Sequence, residues 1–284
     1  MTADAVAAAV AVARGFGLTD LDPVVLANGS NVLVHLRPFP VVARVATLTA
    51  ELRPGVAAWL ARDVEVAAFA AERGVPVVPP SVDPPPGPHV RDGRVLTFFQ
   101  YVPHDPDHRP APQEVGLALA ALHEALRDYG GELPANGPVD DLWRILDALD
   151  RDRILPGEEL AALRADLSSS ATEVLALPVR ALHGDAHPGN LLATPNGLVW
   201  NDFEDTWRGP LAWDLACLAT TDRLDGRAAL AAYPELPPAY EIDVCVRLRT
   251  LFGVAWRFVL DQWIPGRAPD AREHLDRWLL ARPG

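Results

Sequence analysis

Three oxygen-bearing side chains draw attention by their spacing: Asp185, Asn190 and Asp202. The first two stand five residues apart in His183-Gly184-Asp185-Ala186-His187-Pro188-Gly189-Asn190, a loop bent by its glycines and proline. Leu191-Leu192-Ala193 and Leu198-Val199-Trp200 flank an Asn196-Gly197 turn, the strongest short-range signal for a two-stranded hairpin. Asn201-Asp202-Phe203-Glu204 follows at the exit of that hairpin. Folding the ribbon brings Asp185, Asn190 and Asp202 to one edge. Asn190 and Asp202 then offer hard oxygens of the kind Mg²⁺ takes when phosphate oxygens complete its shell. Asp185 is left to orient a nucleophile or take its proton. A metal-dependent hydrolase built on His183, Asp185 and His187 fits less well. Its two histidines, four apart, would need a helix, and Gly184, Pro188 and Gly189 oppose one there.

The elements that must hold this edge can be read on both sides of it. A helix over 3–14 precedes strands over 21–27, 32–36 and 41–45, with the polar loop Asn28-Gly29-Ser30-Asn31 between the first two. Such a loop lets backbone N–H groups approach a phosphate, although a plain β-turn reads the same way. A helix from about 56 to 73 stops at Gly74 and Pro76. Proline-rich chain from 79 to 88 and an Arg91-Asp92-Gly93 turn lead into a strand over 94–102. Beyond Pro103 the pattern becomes helical: 113–129, 139–150, 157–176, and two amphipathic helices in the last ~45 residues. His123 lies beside the apolar stripe of its helix and reads as a packed or capping histidine.

His-Gly-Asp-x-His-x-x-Asn followed by Asn-Asp-Phe-Glu resembles the aminoglycoside phosphotransferase-type family of small-molecule kinases, relatives of the protein kinases. The resemblance covers most of the chain in order. It implies an α+β, two-lobed protein-kinase-like fold: an antiparallel sheet lobe over 1–102 that binds nucleotide, and a mainly helical catalytic and substrate lobe over 103–284. It makes Asp185 the catalytic base, Asn190 and Asp202 the magnesium ligands, and His183 and Asp214 supports of the catalytic loop. It gives Gly29 and Ser30 the phosphates of ATP or GTP, and Gln100 and Val102 the base edge at the hinge. The family's strand lysine and helix glutamate correspond to Arg44 and, by counting back from Gly74, to Asp63. Glu65 lies ~200° around the helix from Asp63 and cannot share its partner. The acceptor implied is the hydroxyl of a small molecule. A non-catalytic nucleotide-binding protein on the same scaffold is the alternative, since both residues of the lysine–glutamate pair have changed.

Composition limits the partners. Nearly half of the 284 residues are hydrophobic and the net charge is −13, which supports a sizeable core and argues against nucleic acid. No apolar run reaches the ~18–20 residues of a membrane span. Cys217 and Cys245 sit in apolar helical stretches and read as buried thiols, so a cytoplasmic location is expected. The chain has no lysine; all 25 basic residues are arginine. The acidic excess lies after residue 102, so a cationic acceptor is one expectation, with Glu204, Asp205, Asp140 and Asp141 as its carboxylates.

Overall fold

The computed structural model describes residues 1–264, 266 and 268–281. Its first hundred residues build a five-stranded antiparallel sheet in the order β1-β2-β3-β5-β4. The strands are β1 (Asp22–Asn28), β2 (Asn31–Arg37), β3 (Val41–Ala46), β4 (His89–Arg91) and β5 (Arg94–Gln100). Alternation divides β2 and β3 into two faces. Val32, Val34 and Leu36 with Val41, Ala43 and Val45 form one face. It packs on Ala5, Ala8, Ala9 and Ala13 of α1 (Thr2–Gly15), small side chains that let helix and sheet come close. Arg44 points to the other face, opposite Leu33 on β2 and Thr97 on β5. Register alone therefore turns this arginine away from α1. At the β4–β5 turn Asp92 and Gly93 have φ of 49° and 76°, as a tight hairpin requires.

Two helices connect β3 to the rest: α2 (Leu48–Leu52) and α3 (Val56–Glu72). The sequence pattern missed α2, a single turn and a half ending before Pro54. Val66, Ala67 and Ala70 of α3 join Val77, Phe99 and Trp200 in a core that crosses from the sheet to the helical half. Leu119 and Leu122 of α4 (Pro112–Leu126) complete it. In this core the ribbon of β7 (Leu191–Thr194) and β8 (Gly197–Trp200) is anchored by backbone bonds from Trp200 N–H to Pro76 (2.9 Å) and from Val78 N–H to Trp200 (2.8 Å).

The remainder is mainly helical. It comprises α4, α5 (Pro138–Arg151), α6 (Gly157–Leu175), α7 (Leu211–Ala219), α8 (Gly226–Ala231), α9 (Ala239–Trp263) and α10 (Ala271–Ala281), with a short ribbon of β6 (Val179–Ala181) and β9 (Arg208–Pro210). Leu146, Leu163, Trp207, Trp213, Leu248 and Leu251 belong to its principal core. Cys217 and Cys245 are both buried, free thiols. Among the described residues no helix is long and apolar enough to cross a membrane.

Candidate active site

The loop ahead of β7 has little conformational choice. Gly184 has φ +90°, and a Cβ there would stand 1.9 Å from the Asp205 carbonyl, so only glycine fits. Asp214, in the first turn of α7, accepts the backbone N–H of His183 at 2.8 Å and of Gly184 at 2.9 Å. It also meets His123 Nε2 at 2.9 Å, and His123 Nδ1 meets the Tyr233 hydroxyl at 2.9 Å. His123 is thus part of the loop's support, a role its position beside an apolar stripe did not signal. His183 is fully buried; its Nε2 donates to the Asn201 carbonyl (3.0 Å) and its Nδ1 accepts the Asp185 N–H (3.3 Å). Burial lowers its pKa, in keeping with a neutral ring. The Trp213 indole closes the turn on the Gly184 carbonyl at 2.6 Å.

Asn190 donates its Nδ2 to the Asp185 carbonyl at 2.9 Å, and its amide oxygen accepts no hydrogen bond among the described residues. The Asn201 N–H bonds to the Asn190 carbonyl at 3.1 Å, setting Asp202 directly after the ribbon. Asp202 is held at φ +67°, a strained value for a residue with a side chain. Asp185 and Asp202 both line one cavity of about 680 Å³.

The two carboxylates live in different fields. Asp185 Oδ1 accepts Arg249 Nη2 at 2.6 Å, and its Oδ2 lies 3.2 Å from His187 Nε2 and 3.3 Å from Asn190 Nδ2. Burial pushes this carboxyl up, but His187 and Arg249 outweigh it and hold it well below the usual range. Asp202 Oδ1 accepts Arg44 Nη2 at 2.5 Å, yet burial and the neighbouring Asp63 and Asp205 push it up to about 6. Asp63 is likewise raised to about 6, first by burial and then by Glu204, against the pull of Arg44.

Arg44 stands at the centre of this acidic group. Glu204 Oε2 is 3.0 Å from it and Asp63 Oδ2 3.4 Å. Asp63 is 1% exposed while Glu65 is exposed, so the helix presents Asp63 and not Glu65. The Arg44–Asp63 pair is a contact of charges without a hydrogen bond: Asp63 Oδ2 and Arg44 Nε have no hydrogen-bond partner among the described residues, and Asp63 Oδ1 accepts the Phe203 N–H at 2.7 Å. Arg44 thus meets Asp63 within a cluster in which Asp202 and Glu204 are the nearer partners.

Arg53 of the loop after α2 binds Asp205 at 2.5 Å, Asp141 at 3.0 Å and Glu204 at 3.3 Å. It also lies 4.0 Å over the Trp59 ring. Neither Arg53 nor Arg249 was singled out by the sequence. Arg53 binds Glu204, Asp205 and Asp141, so these carboxylates are paired, whereas a cationic acceptor would draw on free ones. Asp140 lies outside the cavity, beside Asn136 at 3.3 Å. Arg62, by contrast, donates to the Glu204 carbonyl at 2.6 Å.

At the opposite end Ser30 lines the cavity, its carbonyl fixed by the Thr47 hydroxyl (3.1 Å) and Thr49 N–H (3.2 Å). Gly29 has open space where a Cβ would stand. Gln100 N–H is spent on Pro79 at 2.9 Å, and its side chain is exposed. The Val102 carbonyl accepts His104 Nδ1 at 2.9 Å. Tyr101 between them stacks on His35 of β2 at 3.9 Å.

An antiparallel sheet joined to a mainly helical half, with the spaced acidic loops where the halves meet, defines a protein-kinase-like fold. The chain belongs to the phosphotransferase enzyme family, whose model matches residues 27–243. Members of that family are small-molecule kinases that act on hydroxyl groups. Similar solved structures include the amicoumacin kinase hAmiN in complex with AMP-PNP, Ca²⁺ and Ami (TM-score 0.69, 12% identity, 95% of this chain and 91% of that one). The choline kinase LicA from Streptococcus pneumoniae matches with TM-score 0.66 and 13% identity, over 95% of each chain. An aminoglycoside 2'-phosphotransferase-IIIa bound to GDP matches with TM-score 0.61 and 16% identity, over 96% of this chain and 98% of that one. At the level of sequence, no curated protein matches the chain.

Proposed function

We propose that this protein is an ATP- or GTP-dependent, Mg²⁺-assisted kinase of a small-molecule hydroxyl. Asp185 aligns the acceptor, and Asn190 and Asp202 hold the metal. The observation that carries this reading is the placement of the two motif carboxylates on one cavity: Asp185 is held by Arg249 at 2.6 Å and lies 3.2 Å from His187, while Asp202 shares Arg44 with Asp63 and Glu204. Residues 1–102 are read as the nucleotide lobe and 103–284 as the catalytic lobe. Two free buried thiols suit a reducing cytoplasm.

The residues present fit a divalent cation. Asn190 has an unused amide oxygen, and Asp202 has a second carboxylate oxygen with no partner among the described residues. Asp63, Asp202, Glu204 and Asp205 stand against Arg44 and Arg53, leaving negative charge in excess. Among the described residues no three His, Cys, Asp and Glu side chains make a metal site alone, and Mg²⁺ in such proteins draws its other ligands from water and phosphate. When bound, the ion would neutralise charge on the transferring phosphoryl group.

The remaining work falls to the chain. Asp185 is ionised at neutral pH, so it accepts a hydrogen bond from the acceptor hydroxyl and points the oxygen at the γ-phosphorus. The oxygen–phosphorus bond forms as the bond to the leaving nucleoside diphosphate breaks. The hydroxyl proton passes to Asp185 late, because a carboxylate held this acidic is a poor base. Positioning is therefore the larger contribution. Ser30 N–H and Gly29 border the phosphates, Arg44 holds Asp202 with Asp63 behind it, and the Gln100–Val102 backbone faces the base. His183 and Asp214 keep the loop rigid. Acceptor-dependent release of ADP should vanish in Asp185→Asn, whereas equal release from the variant would remove Asp185 from this role. One observation favours a non-catalytic nucleotide binder: Arg44 is already engaged by three carboxylates. Turnover with any acceptor decides against that second reading.

A further inference from the structure

One wall of the cavity comes from a single stripe of α9. Arg249, Phe252, Gly253, Trp256 and Arg257 all line it, at spacings that place them on one helical face. Leu248, Leu251, Ala255 and Val259 on the neighbouring face are buried in the core. Phe252 and Trp256 stack with ring centroids 6.3 Å apart. Gly253 between them has nothing within 4 Å of the place a Cβ would occupy. A glycine inside a helix is less stable than alanine, and no neighbour here demands one. What the missing methyl preserves is clear floor between two aromatic rings.

The charge on this wall differs from that of the motif end. Six arginines and six carboxylates line the cavity among the described residues, in a chain of net charge −13. Asp141, Glu204 and Asp205 are held by Arg53, while Arg249, Arg257 and Arg277 stand on the α9–α10 side. Arg257 is occupied by Asp270 at 2.8 Å. Arg249 spends one nitrogen on Asp185, and its remaining donors make no bond among the described residues. Arg223, across the catalytic loop, has no ion pair among them; the exposed Asp222 beside it is the one acidic group at the rim without one.

We infer that the acceptor is an anion with a flat apolar ring close to its reactive hydroxyl: the ring lies across Phe252 and Trp256 over Gly253, and the anion takes the open edge of Arg249. This rests on the phosphotransferase reading of Asp185. Its consequence is selective. An anion on the open edge of Arg249 leaves its bond to Asp185 in place and ties the acceptor to the carboxylate that aligns its hydroxyl, whereas a neutral or cationic acceptor gains no such tie. Arg249 is thus a positioning residue that couples recognition to alignment.

Three probes share a ring and a hydroxyl and differ in charge: 3-phenyllactate (anion), 3-phenyllactamide (neutral) and phenylalaninol (cation). Binding is followed by tryptophan fluorescence without nucleotide. The wild type should prefer phenyllactate by about tenfold or more. Arg249→Gln should reduce the preference to less than about twofold, and Arg249→Lys, which keeps charge but loses the fork, should fall between. Gly253→Ala should weaken all three probes while raising Tm, a combination that misfolding cannot produce. Phenylalaninol binding as tightly as phenyllactate, a preference that survives Arg249→Gln, unchanged binding by Gly253→Ala, or no binding of any probe would each overturn the inference. Acceptor-free hydrolysis of ATP, compared between wild type and Asp185→Asn, reports separately on the phosphotransferase reading.

Discussion

Asp185 and Asp202 each hold an arginine, at 2.6 Å and 2.5 Å, and both are half-buried in the same cavity, yet their acidities diverge. Asp185 is surrounded by His187, Arg249 and an amide, and remains ionised far into acid. Asp202 shares its arginine with Asp63 and Glu204 and is raised to about 6. The lesson is that one good ion pair does not decide the state of a carboxylate in a cleft; the sum of the neighbouring charges does. A compensated carboxylate suits the orientation of a hydroxyl. A crowded one suits a site that receives a cation.

The largest effect expected from breaking this contrast is on turnover. Asp185→Asn should lose about 10²–10⁴-fold in kcat, the range for a positioned acid–base group, measured as acceptor-dependent ADP release. Next comes stability at the acidic cluster. Arg44→Met leaves Asp63, Asp202 and Glu204 facing one another without their shared cation, at a cost of about 3–5 kcal/mol, measured by chemical denaturation. Arg44→Lys keeps the charge but has a shorter reach. Paired with Asp63→Glu it should do less damage than the two single changes summed, and strict additivity would show that the residues do not act together.

A smaller effect is linked to pH. His183 has a folded pKa below its unfolded value, so its contribution to stability is fully present above about 6.5 and is lost as pH falls from there through the folded pKa. Denaturant titrations at pH 7 and pH 5 should show His183→Asn losing less stability on acidification than the wild type does. An identical slope would mean that His183 is not held neutral. The smallest effect is that of Gly253→Ala, a gain of about 0.5–1 kcal/mol from helix propensity, visible as a rise in Tm.

What the sequence made legible follows from locality. The hairpin was plain because Asn196-Gly197 demands one turn, and Asp63 was placed because Gly74 and Pro76 fix where α3 ends and so its phase. The sheet could be read from the alternation of Val32, Val34 and Leu36. Arg249 could not, because its partner Asp185 is 64 residues away and the apolar residues of α9 point to the core, hiding the stripe that faces the cavity. Arg53 stands before Pro54-Gly55, and its three carboxylates come from other segments of the chain. For the same reason the count of acidic residues did not reveal that Glu204, Asp205 and Asp141 share Arg53.

Calorimetric titration of ATP with and without Mg²⁺ into the wild type, Asp185→Asn and Asp202→Asn tests the division of roles most directly. Asp185→Asn should bind Mg-ATP within about twofold of the wild type, as expected of a group whose main contribution is in the transition state. Asp202→Asn should lose the strengthening that Mg²⁺ gives. The same loss in both variants, or a Mg²⁺ effect that survives in Asp202→Asn, would contradict the assignment of metal to one carboxylate and hydroxyl to the other.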